Sequence, residues 1–125
     1  MATVAPTRVP TEQDDDIRLW YWSFTQADTC TPVVVAGFPD VTMQVVSKSA
    51  SCTVKLHGSL VPVDQAGLPA AVYDPLDDPA GTEIAITTTD VGCETAQQAV
   101  YAVRPAITTG TATAVVFVMA TRSRR

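Results

Sequence analysis

Basic side chains are scarce: two Lys and six Arg stand against thirteen Asp and Glu in 125 residues, for a net charge of −5. Neutralising nucleic-acid phosphates needs clustered Lys and Arg, so such binding is excluded as the main task. No apolar run approaches the ~20 residues of a membrane-spanning helix; the longest, Ala112 to Ala120, fits a strand. The first ten residues hold no cationic stretch followed by an apolar segment of ~7–15 residues. A secretory signal is therefore not expected, and the chain is expected to be made and kept in a cytoplasm. Cysteine is limited to Cys30, Cys52 and Cys93, odd in number, far apart and without a C-x-x-C pair. Neither a disulfide framework nor a zinc knuckle is predicted; the thiols read as small buried hydrophobes. The six glycines are isolated, so no phosphate-cradling loop is present. The length suits one domain of ~100–150 residues, which excludes most large multi-part enzymes.

What is present reads as strands. Residues 1–16 carry Pro6, Pro10, Glu12 and three consecutive Asp, with little to bury, and are expected to form an extended N-terminal arm. A domain follows over 17–121. Its first segment, Ile17 to Thr25, places Trp20, Trp22 and Phe24 on one face and Leu19 and Tyr21 on the other. A strand apolar on both faces is either central in a sandwich or covered by a neighbouring subunit. Val41 to Ser47 and Cys52 to Gly58 both alternate with period two around the polar Lys48–Ser51, which predicts a hairpin. Four prolines at 62, 69, 75 and 79 forbid a long helix or central strand between Ser59 and Gly81, leaving room only for pieces such as Ala70–Tyr73. Thr82–Thr89, Ala99–Ile107 and Thr111–Thr121 read as further strands, the last two joined at Thr108–Gly110. Asp90–Gln98 is expected to be irregular, with a short helical turn. Some seven short strands describe an all-β domain, a β-sandwich or small barrel.

Catalytic chemistry is poorly supplied. The lone histidine, His57, falls on the outward face of its strand beside Gly58 and reads as solvated, without a nucleophile motif to serve. Asp74, Asp77 and Asp78 could offer oxygens to a cation or pose as an acid/base pair, but Pro-flanked Asp residues are ordinary turn formers. No catalytic, metal-binding or cofactor-binding residues are assigned, and no cofactor is expected. The aromatic strand could be a stacking platform for sugars or bases, against burial of Trp20, Trp22 and Phe24 in the core or at a homotypic interface. Charge is uneven: residues 1–121 carry five basic and thirteen acidic side chains, a balance of −8, while Arg122, Arg124 and Arg125 add +3. A basic tail at 122–125 on an acidic body suits docking on an adjacent subunit or another acidic surface.

The order of a Val-x-Met-Gln-Val strand (Val41–Val45), the segment Cys52–Ser59, the Asp74-Pro75 loop, the segment Val100–Pro105, Thr108–Gly110 and an apolar strand ending in arginines resembles small virion proteins of tailed bacteriophages. The likeness covers about residues 41–125. Leu60-Val61 stand where that family continues with a polar turn, and Val100 stands where it has Arg. The resemblance implies a jelly-roll-like β-sandwich that decorates or cements a capsid, usually as homotrimers on the outer surface of the shell. Its partners would be the major capsid protein and neighbouring copies of itself, with no nucleic acid and no membrane, and it would reside in the virion. Trp20, Trp22, Phe24, Arg122, Arg124 and Arg125 are the expected interface residues. The alternative, from a different class, is a carbohydrate-binding or host-attachment module displayed on the particle, which would need Trp20 or Trp22 exposed.

Overall fold

Alternating apolar and polar residues give each long segment one face to bury, and two such sheets can bury those faces only against each other. A computed structural model describes residues 2–10, 16–62, 67–87 and 92–122. Among them there is no helix, and twelve strands follow in chain order: β1 (Thr3–Val4), β2 (Thr7–Val9), β3 (Ile17–Thr25), β4 (Thr29–Cys30), β5 (Val33–Val34), β6 (Asp40–Lys48), β7 (Thr53–Ser59), β8 (Asp74–Pro75), β9 (Ala85–Ile86), β10 (Gly92–Thr95), β11 (Ala102–Thr109) and β12 (Thr113–Thr121). One antiparallel sheet runs β10-β6-β12-β3-β2. The other runs β5-β11-β7-β8, with β9 also paired to β7; β1 and β4 form a small parallel pair. The two main sheets enclose one hydrophobic core, the arrangement of a β-sandwich. Trp22, Phe24, Met43, Val45, Val116 and Val118 line it from the first sheet, and Val54, Leu56, Val103 and Ile86 from the second.

The predicted hairpin does not form. Its two strands occupy nearly their predicted spans and face inward as predicted, at Val41, Met43 and Val45 and at Cys52, Val54 and Leu56. They belong to opposite sheets, however: β6 pairs with β10 and β12, and β7 with β8, β9 and β11. Residues 49–52 therefore cross the sandwich. The connection at Thr108–Gly110 makes the same crossing, from β11 to β12. Period-two patterning states which face is buried and says nothing about the partner strand, so a short polar loop serves a hairpin or a crossing equally well.

Three smaller differences have similar causes. Ala70–Tyr73 is not a strand; the ladder begins at Asp74, which pairs with Gly58. Within the described part of Thr82–Thr89, residues 82–87, Ala85–Ile86 joins a ladder and Glu83 makes an isolated bridge to Asp77, and Ile84 and Ile86 are both buried as their spacing required. Gly92–Thr95, in the segment expected to be irregular, is the edge strand β10, held by its pairing to β6 rather than by any apolar pattern of its own. The expected arm, in residues 2–10, lies along its own domain. There β1 runs beside β4 and β2 pairs with Leu19–Tyr21 at the edge of the first sheet.

Candidate functional site

The aromatic strand β3 lies fourth in its sheet, between β2 and β12. Trp20, Trp22 and Phe24 are opposite Val118, Val116 and Ala114, face the interior and are 9%, 1% and 2% exposed. The Trp22 indole Nε1 donates to the Thr31 carbonyl at 3.0 Å, so its one polar atom is satisfied inside. Of the alternatives open from sequence, the structure puts all three in the core of a single chain. Neither indole is available as a surface platform.

Arg122 is engaged within its own chain. Its Nε donates to Asp16 Oδ1 at 2.8 Å, its backbone N–H to the Asp16 carbonyl at 3.0 Å, and its guanidinium lies 5.0 Å from the Phe38 ring centre. Arg18 approaches the same ring at 5.3 Å, so Phe38 receives two cations. Arg124 and Arg125 lie outside the described residues, as do residues 11–15 of the expected arm.

His57 is half-buried rather than solvated, and its Nε2 finds no hydrogen-bond partner among the described residues. It stands directly opposite Arg104 on the outer face of the second sheet, two residues from Lys55. Burial first, and then the positive charges of Arg104 and Lys55, hold its pKa below the ordinary 6.5. Lys55 is paired with Glu83, and Arg104 stacks on Tyr73 at 4.1 Å.

The acidic loop is spent on its own turn. Asp78 Oδ1 accepts from the backbone N–H groups of Ala80 and Thr82 at 2.9 and 3.0 Å. Gln98 Oε1 accepts from the Asp77 N–H at 2.8 Å, while its Nε2 donates to Asp77 Oδ2 at 3.2 Å. Among the described residues no three His, Cys, Asp or Glu side chains converge as a metal site.

The outer faces of the two sheets are chemically unlike, and sequence reading only half anticipated it. The second sheet presents Lys55, His57 and Arg104, with Glu83 paired to Lys55. The first presents Thr7 and Val9 from β2, Leu19, Tyr21 and Ser23 from β3, Val115, Phe117 and Met119 from β12, Thr42 and Gln44 from β6, and Cys93 and Thr95 from β10. The same register puts the exposed Asp40 on this face at the end of β6; none of the other side chains named is charged. Tyr21 and Phe117 stack at 5.0 Å between ring centres with 26° between planes. Beside them a shallow hollow of about 270 Å³ is lined by Leu19, Thr42, Gln44, Cys93, Phe117 and Met119. The signal in the sequence was the second apolar face of Ile17–Thr25. Its neighbours could not be named until the order β6-β12-β3 placed Phe117 beside Tyr21.

A second apolar feature went unread. Leu60 and Val72 are among the most exposed large hydrophobics, and they border an open cleft of about 490 Å³ floored by Leu76 and Val100. Gly58 is fitted under this floor. A β-carbon there would lie 3.0 Å from both Leu76 Cδ2 and Val100 Cγ2.

Compared with protein-family models, with characterised proteins and with solved structures, the chain matches none.

Proposed function

We propose that this chain is a structural, non-enzymatic virion protein: a capsid decoration or cement subunit of a tailed bacteriophage. It would be made in the host cytoplasm and carried on the outer surface of the shell, against the major capsid protein and neighbouring copies of itself. The observation that carries this reading is the half-apolar outer face of the β10-β6-β12-β3-β2 sheet, charged only at Asp40 among the described residues, on an otherwise acidic small domain. Contiguous apolar surface of that kind marks a protein contact. The resemblance of residues 41–125 to phage virion proteins supplies the class of contact. Multivalent placement around a shell adds modest single contacts into a durable cage, and binding only the assembled shell stabilises it by mass action.

The finer fold reading is a jelly roll. It is supported by the crossings from sheet to sheet at β5–β6, β6–β7 and β11–β12, and by the orders β3-β12-β6-β10 and β5-β11-β7-β9, which place late strands between early ones. Residues 1–16 and the tail from Arg122 are read as the exchangeable parts. Short edge strands such as β1 and β2 are what a neighbouring copy can supply in place of the chain's own. The resemblance implies a homotrimer.

Rebinding to particles tests the reading. Shells stripped of this protein should take up the full chain on co-sedimentation, with several hundred copies per particle by quantitative mass spectrometry. No uptake, or a handful of copies, overturns the shell assignment. If a variant lacking residues 1–16 and 122–125 binds as well as the full chain, arm and tail have no part in attachment.

A further inference from the structure

We propose that the outer face of the β10-β6-β12-β3-β2 sheet is where two copies of this chain pack, sheet on sheet, across a two-fold axis. This names a copy-to-copy contact of the structural subunit described above and rests on that reading, with a two-fold pair in place of the homotrimer that the resemblance implies.

Charge makes the first argument. Each copy carries a net −5, so two copies repel wherever acidic surface meets acidic surface. Among the described residues Asp40, at the end of β6, is the one charged outward position of this face, so a contact centred on β12 and β3 that leaves Asp40 at its rim buries no unpaired ion. The outer face of the other sheet, with Lys55, Glu83 and Arg104, offers no such surface.

Relief makes the second. The stacked Tyr21–Phe117 pair borders the hollow lined by Leu19, Thr42, Gln44, Cys93, Phe117 and Met119. In the proposed pair a two-fold rotation would seat the Tyr21 and Met119 side chains of each copy against the hollow of the other. That reciprocity is what an isologous interface requires, because one patch must be its own complement. Aromatic side chains seated in pockets are also the usual anchors of such contacts.

Area makes the third. Five strands at ~4.8 Å spacing and about seven residues of ~3.4 Å rise give a patch of roughly 500 Å² per copy. A pair would bury roughly 1,000 Å², at the threshold of specific interfaces. The contact is therefore a reversible one, reinforced where many copies are held side by side.

The test uses the full chain in solution. Light scattering on eluting protein, from about 1 to about 100 µM, should show the mass rising from 13.2 kDa toward twice that value. Added salt should leave the association intact or tighten it, since only self-repulsion is screened. Gln44→Glu and Met119→Lys, at exposed positions, should each weaken it by ~tenfold or more, whereas Lys55→Glu on the opposite face should not. In the wild type, alkylation of the exposed Cys93 should slow with rising protein concentration. A monomer at the highest concentration, a trimeric mass, or a dimer indifferent to both face variants overturns the proposal. Its fate separates from that of the shell reading. A chain that pairs through this face but does not sediment with shells refutes only the capsid assignment; a monomer that sediments with shells refutes only the pairing.

Discussion

Gly110 stands against the Ser51 carbonyl so closely that a β-carbon on it would lie 2.6 Å from that oxygen and 2.9 Å from the Cys52 Cα. The contact joins the two sheet-to-sheet crossings, residues 49–52 and 110–112, at one end of the sandwich. Ser49 and Thr113 fasten the same junction, with the Ser49 N–H donating to the Thr113 carbonyl at 2.9 Å and the Thr113 N–H to Ser49 Oγ at 2.8 Å. Gly110 also holds φ at +95°, where a side chain is strained.

Gly110→Ala should therefore destabilise the fold by ~2 kcal/mol or more, combining backbone strain with a clash against main-chain atoms that cannot rotate away. Urea denaturation at pH 7 checks this. Gly37→Ala makes the comparison, since φ is +87° there but nothing lies within 4 Å of the added carbon. It should cost about 1 kcal/mol, the strain alone.

The indoles of Trp20 and Trp22 should emit as buried chromophores and resist acrylamide quenching in the folded chain. Added polysaccharide should leave the emission unchanged. Trp22→Phe should cost ~2–3 kcal/mol in the same denaturation assay, from the lost packing volume and the Thr31 carbonyl left without its donor.

Thiol reactivity should divide by burial. Cys93 is exposed, whereas Cys30 and Cys52 are buried. Burial pushes the Cys30 thiol up to about 12, with the Arg104 charge acting weakly in the opposite direction. It therefore stays protonated and unreactive across the neutral range. A thiol reagent at pH 8 should modify one cysteine per folded chain quickly, and all three only in denaturant.

Two groups should shape stability against pH in opposite senses. The folded pKa of His57 is lowered by burial and by Arg104 and Lys55, so below its unfolded value of about 6.5 the unfolded chain binds more protons. Stability should fall as pH drops through that value and level off below the folded pKa; His57→Gln should remove this decline. The folded pKa of Glu94 is raised by burial and by Asp78, so its contribution weakens as pH rises from about 4.5 through the folded value. Glu94→Gln should raise the melting temperature at pH 7 relative to pH 4. Melting curves of both variants from pH 4 to pH 8 read the two effects.

The inward residues of β3, β6, β7 and β12 were legible in the sequence because burial on one side of a pleated strand imposes period two. The location of Trp20 and Trp22 was open, since the strand is apolar on both faces and the pattern does not say which face meets the core. The half-apolar outer face was half legible for the same reason. Leu19 and Tyr21 were visible as a second apolar row, but Phe117 and Met119 joined them only through a pairing made across nearly a hundred residues. The edge strand β10 left no apolar signature, and the cleft beside Leu60 arises from a loop fitted against Val100.

The amino-acid sequence by itself determined that this chain is all-β, which side of each long strand faces inward, and that catalytic groups are sparse. Those properties are local: they follow from side-chain chemistry repeated every second residue. The tertiary structure alone decided that β6 and β7 part into opposite sheets, that residues 2–10 fold back onto their own domain, and that Tyr21 meets Phe117 on the outer face of the first sheet. Each depends on contacts between distant segments, whose free energy is shared by the whole sandwich and is written in no single stretch of it.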